Sequence, residues 1–339
     1  MNTRFAETIL SFPGRLAVPI GVYAGLEITG ATIRAVVSDP RAQAEAVLAL
    51  HERLRTPVLV TAMDLSAEAS AFGCEIRMSD TEIPTVIGRK ATSAADVAAL
   101  AVPRPGEGRT NVHLEAARLI KKTVVSPVLG CMIGPFSLAG RIFGVSEALE
   151  TTALEAETVL ALLEKVADFQ IAYARAFQET GIAGVIVAEP AAGLLSPAAL
   201  GRFSAPFVKR IVEAAQTQDF TIVLHNCGAK LIHLDKVLES GAGVYHFGAP
   251  MDIVAALGRV AGRVILGGNL DPAAVFHGGT PESVRTQTLE LLEATKDHKN
   301  YFVSSGCDIP PGTPLANLEA FYKAAADFSG RSRTAFLPS

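Results

Sequence analysis

The sequence predicts an α/β chain closed into a (β/α)8 TIM barrel. Apolar runs of strand length recur eight times, at residues 17–22, 57–62, 127–132, 183–188, 221–225, 243–247, 263–267 and 301–304. Each run ends in a Gly, a Pro or a polar turn, and helix-period segments separate the runs. The runs are near-continuous rather than alternating, as parallel strands buried on both faces require.

The helical segments are expected at 41–54, 110–122, 146–179, 197–215, 230–240, 252–260, 281–294 and 314–327. Several open on start signals, such as Ser38-Asp39-Pro40, Leu195-Ser196-Pro197, Gly279-Thr280-Pro281-Glu282 and Gly312-Thr313-Pro314, in which a capping side chain or turn precedes Pro in the first turn. Residues 74–77 and 81–87 break the rhythm and read as a β-hairpin, and 104–108 as a surface loop. The chain is therefore expected to be one barrel domain over 1–339, with a hairpin and loop insertion around 74–108.

Composition narrows the class. Hydrophobic residues are 49% and charged residues 19% of the chain, enough for a large core and too apolar for disorder. A formal charge of -4 and a pI near 6.0 give no electrostatic reason to expect nucleic acid or an anionic membrane. Cys74, Cys131, Cys227 and Cys307 are scattered, unlike a disulfide framework, which favours a reducing cytoplasm. The first apolar stretch stops at Pro13-Gly14-Arg15, too soon for a signal peptide, and no run reaches membrane-span length.

Chemistry concentrates at two strand ends. In Thr221-Ile222-Val223-Leu224-His225-Asn226-Cys227-Gly228, extended backbone turns His225 and Cys227 to the same side. A barrel brings every carboxyl strand end to one mouth, so Cys307, just past the last strand, can join them. An imidazole and two thiolates make three zinc donors with a fourth position open, the pattern of a catalytic rather than a structural site. The plainer alternative is two small buried cysteines and a hydrogen-bonded core histidine. Gly228 and Gly306 beside the cysteines leave the backbone free to aim a thiolate.

His225-Asn226-Cys227 followed by Cys307 resembles the uroporphyrinogen decarboxylase superfamily, and within it the zinc-dependent methylcobamide:coenzyme M methyltransferase branch. The resemblance runs through Met63-Asp64-Leu65-Ser66-Ala67-Glu68-Ala69, Ile133-Gly134-Pro135-Phe136-Ser137-Leu138, Leu194-Leu195-Ser196-Pro197, Gly268-Asn269-Leu270-Asp271-Pro272 and Ser305-Gly306-Cys307-Asp308-Ile309-Pro310-Pro311-Gly312-Thr313-Pro314-Leu315. It implies a barrel of the uroporphyrinogen decarboxylase type and zinc on His225, Cys227 and Cys307. It also implies methyl transfer between a corrinoid, carried as methylcobamide on a partner corrinoid protein, and a thiol or similar acceptor. No Asp-x-His-x-x-Gly run for holding cobalamin occurs in the chain itself.

Two departures bear on the reading. Where the decarboxylases carry arginines for the substrate's carboxylates, this chain has Gly21-Val22-Tyr23-Ala24-Gly25-Leu26-Glu27. Where some methyltransferases of the branch offer a carboxylate to zinc, it has His246-Phe247-Gly248-Ala249-Pro250, leaving water, His246 or Glu189 as the fourth donor. Tyr23, Asp64, Glu189 and His246 are the expected substrate-pocket residues; for Asp64 a helix cap and for Glu189 a surface turn are the alternatives. A porphyrinogen-type decarboxylase, another lyase, or a non-catalytic barrel binding zinc or a corrinoid are the competing functions.

Overall fold

The computed structural model describes residues 3–262 and 264–330. Among these the strands are β1 (Leu59–Val60), β2 (Glu75–Arg77), β3 (Thr85–Ile87), β4 (Val128–Ile133), β5 (Gly184–Ala188), β6 (Thr221–Asn226), β7 (Val244–Phe247), β8 (Ile265–Leu270) and β9 (Tyr301–Ser305). Seven form one parallel sheet in the order β1-β4-β5-β6-β7-β8-β9, with α-helices in the connections. The expected hairpin is β2 and β3, antiparallel with Glu75 opposite Ile87.

Alternation along the strands builds two cores. One set of residues, including Val185, Val187, Ile222, Leu224, Tyr245 and Leu266, packs outward on the helices. The other set, Val60, Leu129, Cys131, Ile186, Val223, Val244, Ile265 and Phe302, meets inside the curl of the sheet together with Leu16, Val18 and Ile20. A helix not anticipated from the sequence, Arg4–Ser11, is capped by Thr3 and adds Phe5, Ala6 and Ile9 to this inner core.

The eighth strand expected at 17–22 is not formed. The segment meets β9 through one parallel bridge, Ala17 to Val303, with Val303 N donating to Leu16 O and Val18 N to Val303 O, each at 3.0 Å. Pro19 has no N–H to continue a ladder, and the chain turns at Gly21 into the 3-10 helix Val22–Gly25. No ladder joins this segment to β1 among the described residues. Arg15 compensates: its buried guanidinium donates to the carbonyls of His298 (2.6 Å), Tyr301 (2.8 Å), Thr295 (2.9 Å) and Lys296 (3.3 Å). Hydrogen bonds from a charged donor contribute about 1.5–3 kcal/mol each.

Other boundaries moved for local reasons. The long helix expected at 146–179 is two helices, Val145–Leu154 and Ala156–Gln178, which meet at a non-helical Glu155. The segment at 197–215 breaks at Ser204, because Pro206 sits in the first turn of Ala205–Ala215. The stretch expected to be helical at 230–240 is a 3-10 turn, Leu231–His233, and a short helix, Leu234–Leu238. The strand expected from 263 is described from Ile265; residue 263 lies outside the described residues, as do 1–2 and 331–339.

Candidate metal centre at the strand ends

β6 carries His225 next to its last residue, and Cys227 follows it directly; Cys307 stands two residues past β9. The ligating atoms of the three lie within 4.8 Å of one another. β6 and β9 are three steps apart in the sheet. In a flat sheet three steps of about 4.8 Å would hold their ends about 14 Å apart, so the curl of the sheet assembles the group. Gly248, after β7, lets the next chain end close in: a Cβ there would stand 2.2 Å from the Cys227 carbonyl oxygen.

His225 is buried, and its Nδ1 lies 2.7 Å from His246 Nδ1. Its Nε2 is buried with no hydrogen-bond partner, which is costly unless something else takes the lone pair. The two sulfurs lie within 4.8 Å of each other. Their mutual interaction lowers Cys227 below the usual thiol range and, with burial, pushes Cys307 up to about 12. A soft cation can displace the thiol protons and occupy the bare nitrogen, so the donor set fits zinc.

His246 and Glu189, offered as fourth donors, are engaged elsewhere. Both ring nitrogens of His246 are taken, Nδ1 by His225 and Nε2 by Ser304 Oγ at 2.7 Å, and burial followed by the His225 ring holds it well below its usual value. Glu189 is buried against the helix Pro135–Phe143, accepting from Phe136 N (2.9 Å), Ser137 N (3.0 Å), Ser137 Oγ (2.6 Å) and Ser204 Oγ (3.3 Å). Burial raises its pKa despite these bonds, and the carboxylate caps a helix amino terminus. Gly134 makes the room, since a Cβ there would sit 2.3 Å from Glu189 Cγ.

Asp64 is likewise occupied. Its Oδ1 accepts from Ser66 N (3.0 Å) and Ser66 Oγ (2.7 Å), and its Oδ2 pairs with Arg109, whose other nitrogen reaches Ser66 Oγ at 2.7 Å. Burial alone would raise the Asp64 carboxyl; His113 at 3.8 Å and the Arg109 guanidinium overcome it and hold the group well below the carboxylate range. It makes a turn with Ser66, which stands at the cap position of the helix Ala67–Ala71. Nearby Glu68 accepts from Ile133 N (2.8 Å), and burial raises it to about 8.

Tyr23, by contrast, has a buried hydroxyl without a partner. Burial raises its pKa well above the phenol range, and the Asp308 and Asp64 charges add to this. Asp308 was not singled out from the sequence although it follows Cys307 directly. Both its carboxylate oxygens are buried and unpartnered, and burial, then Cys307, raises it well above the carboxylate range. Its signal was a carboxylate one residue beyond a donor; Arg109 and Ser304 carried none. Cys131 points into the inner core toward the Thr61 carbonyl (3.5 Å), and Cys74 is buried and pushed up to about 11. Asn269 braces the loop after β7 by donating to Met251 O (2.6 Å) and Gly248 O (3.1 Å).

Fold and site together define an α/β protein of curled parallel sheet with a soft-donor group at its carboxyl strand ends. Comparison with known proteins makes this specific. The chain belongs to the uroporphyrinogen decarboxylase (URO-D) family, whose sequence profile matches residues 18–328. It is 31% identical over 314 residues to the methylcobamide:CoM methyltransferase MtbA of Methanosarcina mazei, covering 91% of each protein. It is 27% identical over 311 residues to the uroporphyrinogen decarboxylase of Coxiella burnetii, covering 87% of this chain and 84% of that one. Among solved structures, a methyltransferase from Methanosarcina mazei superposes with a TM-score of 0.85, covering 95% of this chain and 97% of the other; at 24% identity it speaks to the fold.

Proposed function

We propose that this chain is a zinc-dependent methyltransferase that moves a methyl group between a corrinoid and a thiol or similar acceptor. The observation that carries the reading is the convergence of His225, Cys227 and Cys307, with the His225 Nε2 lone pair bare, in a chain 31% identical to a methylcobamide:CoM methyltransferase. His225, Cys227 and Cys307 hold the metal. Zinc bound there supplies a Lewis-acid centre at which an incoming thiol sheds its proton at neutral pH. The residues around it keep the site dry: His225 is enclosed, and both cysteines are only partly exposed. Methyl transfer to the thiol forms a sulfur–carbon bond and breaks the cobalt–carbon bond, the electron pair remaining on cobalt. Asp308, next to Cys307, and Tyr23, which feels the Asp308 charge, have unpartnered polar atoms and are the pocket residues left to meet the acceptor.

The same reading makes the chain a single (β/α)8 barrel, closed by residues 16–20 between β9 and β1. Its support is the inner core, where Leu16, Val18 and Ile20 meet Val58 and Val60. The corrinoid arrives on a partner corrinoid protein. A cytoplasmic location is supported by the four unpaired cysteines, and no described helix is long and apolar enough to cross a membrane. Porphyrinogen decarboxylation is less well supported, because the residues after Ile20 bring no arginine to the mouth.

The test is metal content of the purified protein and of His225→Ala, Cys227→Ala and Cys307→Ala, with zinc X-ray absorption before and after adding a thiol. One zinc per chain, lost in each variant and gaining a sulfur neighbour with thiol, is the expected result. A folded protein that takes up no zinc overturns the reading and directs attention to decarboxylation; a closed four-donor zinc that ignores thiol directs it to a binding role.

A further inference from the structure

We propose that Ser304 and His246 are positioning residues, forming a hydrogen-bond relay that fixes the tautomer of His225 and so presents Nε2, not an N–H, to the metal. The inference rests on the zinc reading above and is drawn from counting protons. The Ser304 hydroxyl has a single hydrogen. Its oxygen lies 2.6 Å from Val18 O and 3.0 Å from Ser305 O, and both are carbonyls that can only accept. Whichever receives it, Ser304 has no hydrogen left for His246, whose Nε2 is 2.7 Å away. His246 Nε2 therefore carries a proton and donates.

The His246 ring is buried with no carboxylate among its partners, so it holds the one proton already placed on Nε2 and its Nδ1 is a bare acceptor. The atom facing it at 2.7 Å is His225 Nδ1, which must donate. With its proton on Nδ1, the His225 ring has its free lone pair on Nε2. That atom is buried and partnerless, in the ring that belongs to the three-donor group.

Left alone, a neutral imidazole divides its proton between two nitrogens, and only one arrangement ligates through Nε2. The relay removes the other. His225, His246 and Ser304 are all buried, so water has no access to supply an alternative partner. The residue taking this place is an imidazole, which itself needs an orienting group; Ser304 on β9 provides it. The relay thus ties together β6, β7, β9 and, through Val18, the segment beside β9.

The experiment compares zinc affinity, by chelator competition, in the wild-type protein and in His246→Leu, His246→Gln and Ser304→Ala. Long-range proton–nitrogen NMR of histidine-labelled wild-type protein then reads the tautomer directly. Outer-shell partners of metal histidines typically govern about 10–100-fold in affinity. His246→Leu is expected to lose about that much, Ser304→Ala about tenfold. His246→Gln, which keeps an oxygen to accept and an N–H to donate, is expected to recover most of the loss. His225 is expected to show its proton on Nδ1 in both metal-free and zinc-loaded protein. A wild-type protein that binds zinc while all three variants bind it equally, or a His225 proton found on Nε2, overturns the relay and leaves the metal reading standing. A wild-type protein that binds no zinc overturns both. Should His246→Leu not fold, Ser304→Ala and the wild-type spectrum decide.

Discussion

Two pairs of buried polar residues on opposite sides of the mouth, Asp64 with Glu189 and His225 with Asp308, behave oppositely. On the β1–β4–β5 side, Asp64 and Glu189 are buried acids with every oxygen accepting hydrogen bonds, from Ser66 and Arg109 in one case and from a helix end and Ser204 in the other. On the β6–β9 side, His225 Nε2 and both Asp308 oxygens are equally buried and have no partner. Saturated buried polar groups stabilise architecture; unsaturated ones cost about 1–3 kcal/mol each and persist where a ligand completes them. Asp64 and Glu189 are thus saturated and His225 and Asp308 are not, while Glu68, with its Oε2 buried and unpartnered near Asp64, departs from its neighbours on the first side.

Substitutions on the two sides should separate these roles. The largest effect is expected from Cys227→Ala or Cys307→Ala, which should lower zinc affinity by more than the roughly 100-fold upper range for outer-shell changes, with the metal-free fold unaltered by circular dichroism. Unfolding of either metal-free variant would place the donors on the structural side and break the comparison. Next, Arg109→Ala leaves Asp64 charged and buried without its main partner, a change that costs about 3–5 kcal/mol. Because Asp64 is held below its ordinary range, that loss belongs to pH above about 4 and shrinks as acid protonates the carboxylate, which urea unfolding at pH 7 and pH 3 would show. Zinc content should stay at the wild-type level.

Glu189→Ala strips the partners from Phe136 N and Ser137 N and is expected to cost about 2–3 kcal/mol in thermal or urea unfolding, again with zinc retained. The smallest effect concerns Glu68. Its folded pKa is raised to about 8, so the protonated folded form is favoured and wild-type stability falls as pH rises through that value. Between pH 7 and pH 9 the wild type should lose about 1.4 kcal/mol that Glu68→Gln keeps. Parallel stability curves for the two proteins over that interval would remove Glu68 from the list of strained acids.

The sequence showed most of the strand positions because parallel strands buried on both faces cannot hide their apolar runs. It also pointed to the convergence of His225, Cys227 and Cys307, since His225 and Cys227 share a parity and Cys307 stands just past the last strand. What it did not show was partnership. Whether Glu189 meets a substrate or a helix end depends on Gly134 and Ser137, more than fifty residues earlier. The strand expected at 17–22 failed because one Pro19 outweighed an apolar run, and the orienting role of Ser304 is invisible until β7 and β9 are brought within hydrogen-bond reach.

The Arg15 clasp has a consequence for synthesis. Its four carbonyl partners lie between 280 and 286 residues downstream, in the last strand and in the turn that follows the helix Pro281–Ala294. Cys307, the third member of the His225–Cys227–Cys307 group, and Ser304 arrive on the same stretch. A chain emerging from the ribosome therefore carries β1 through β8 with its amino-terminal segment unfastened and only two of the three donors. Fastening and the convergence of His225, Cys227 and Cys307 become available together, once residues 295–307 have been made.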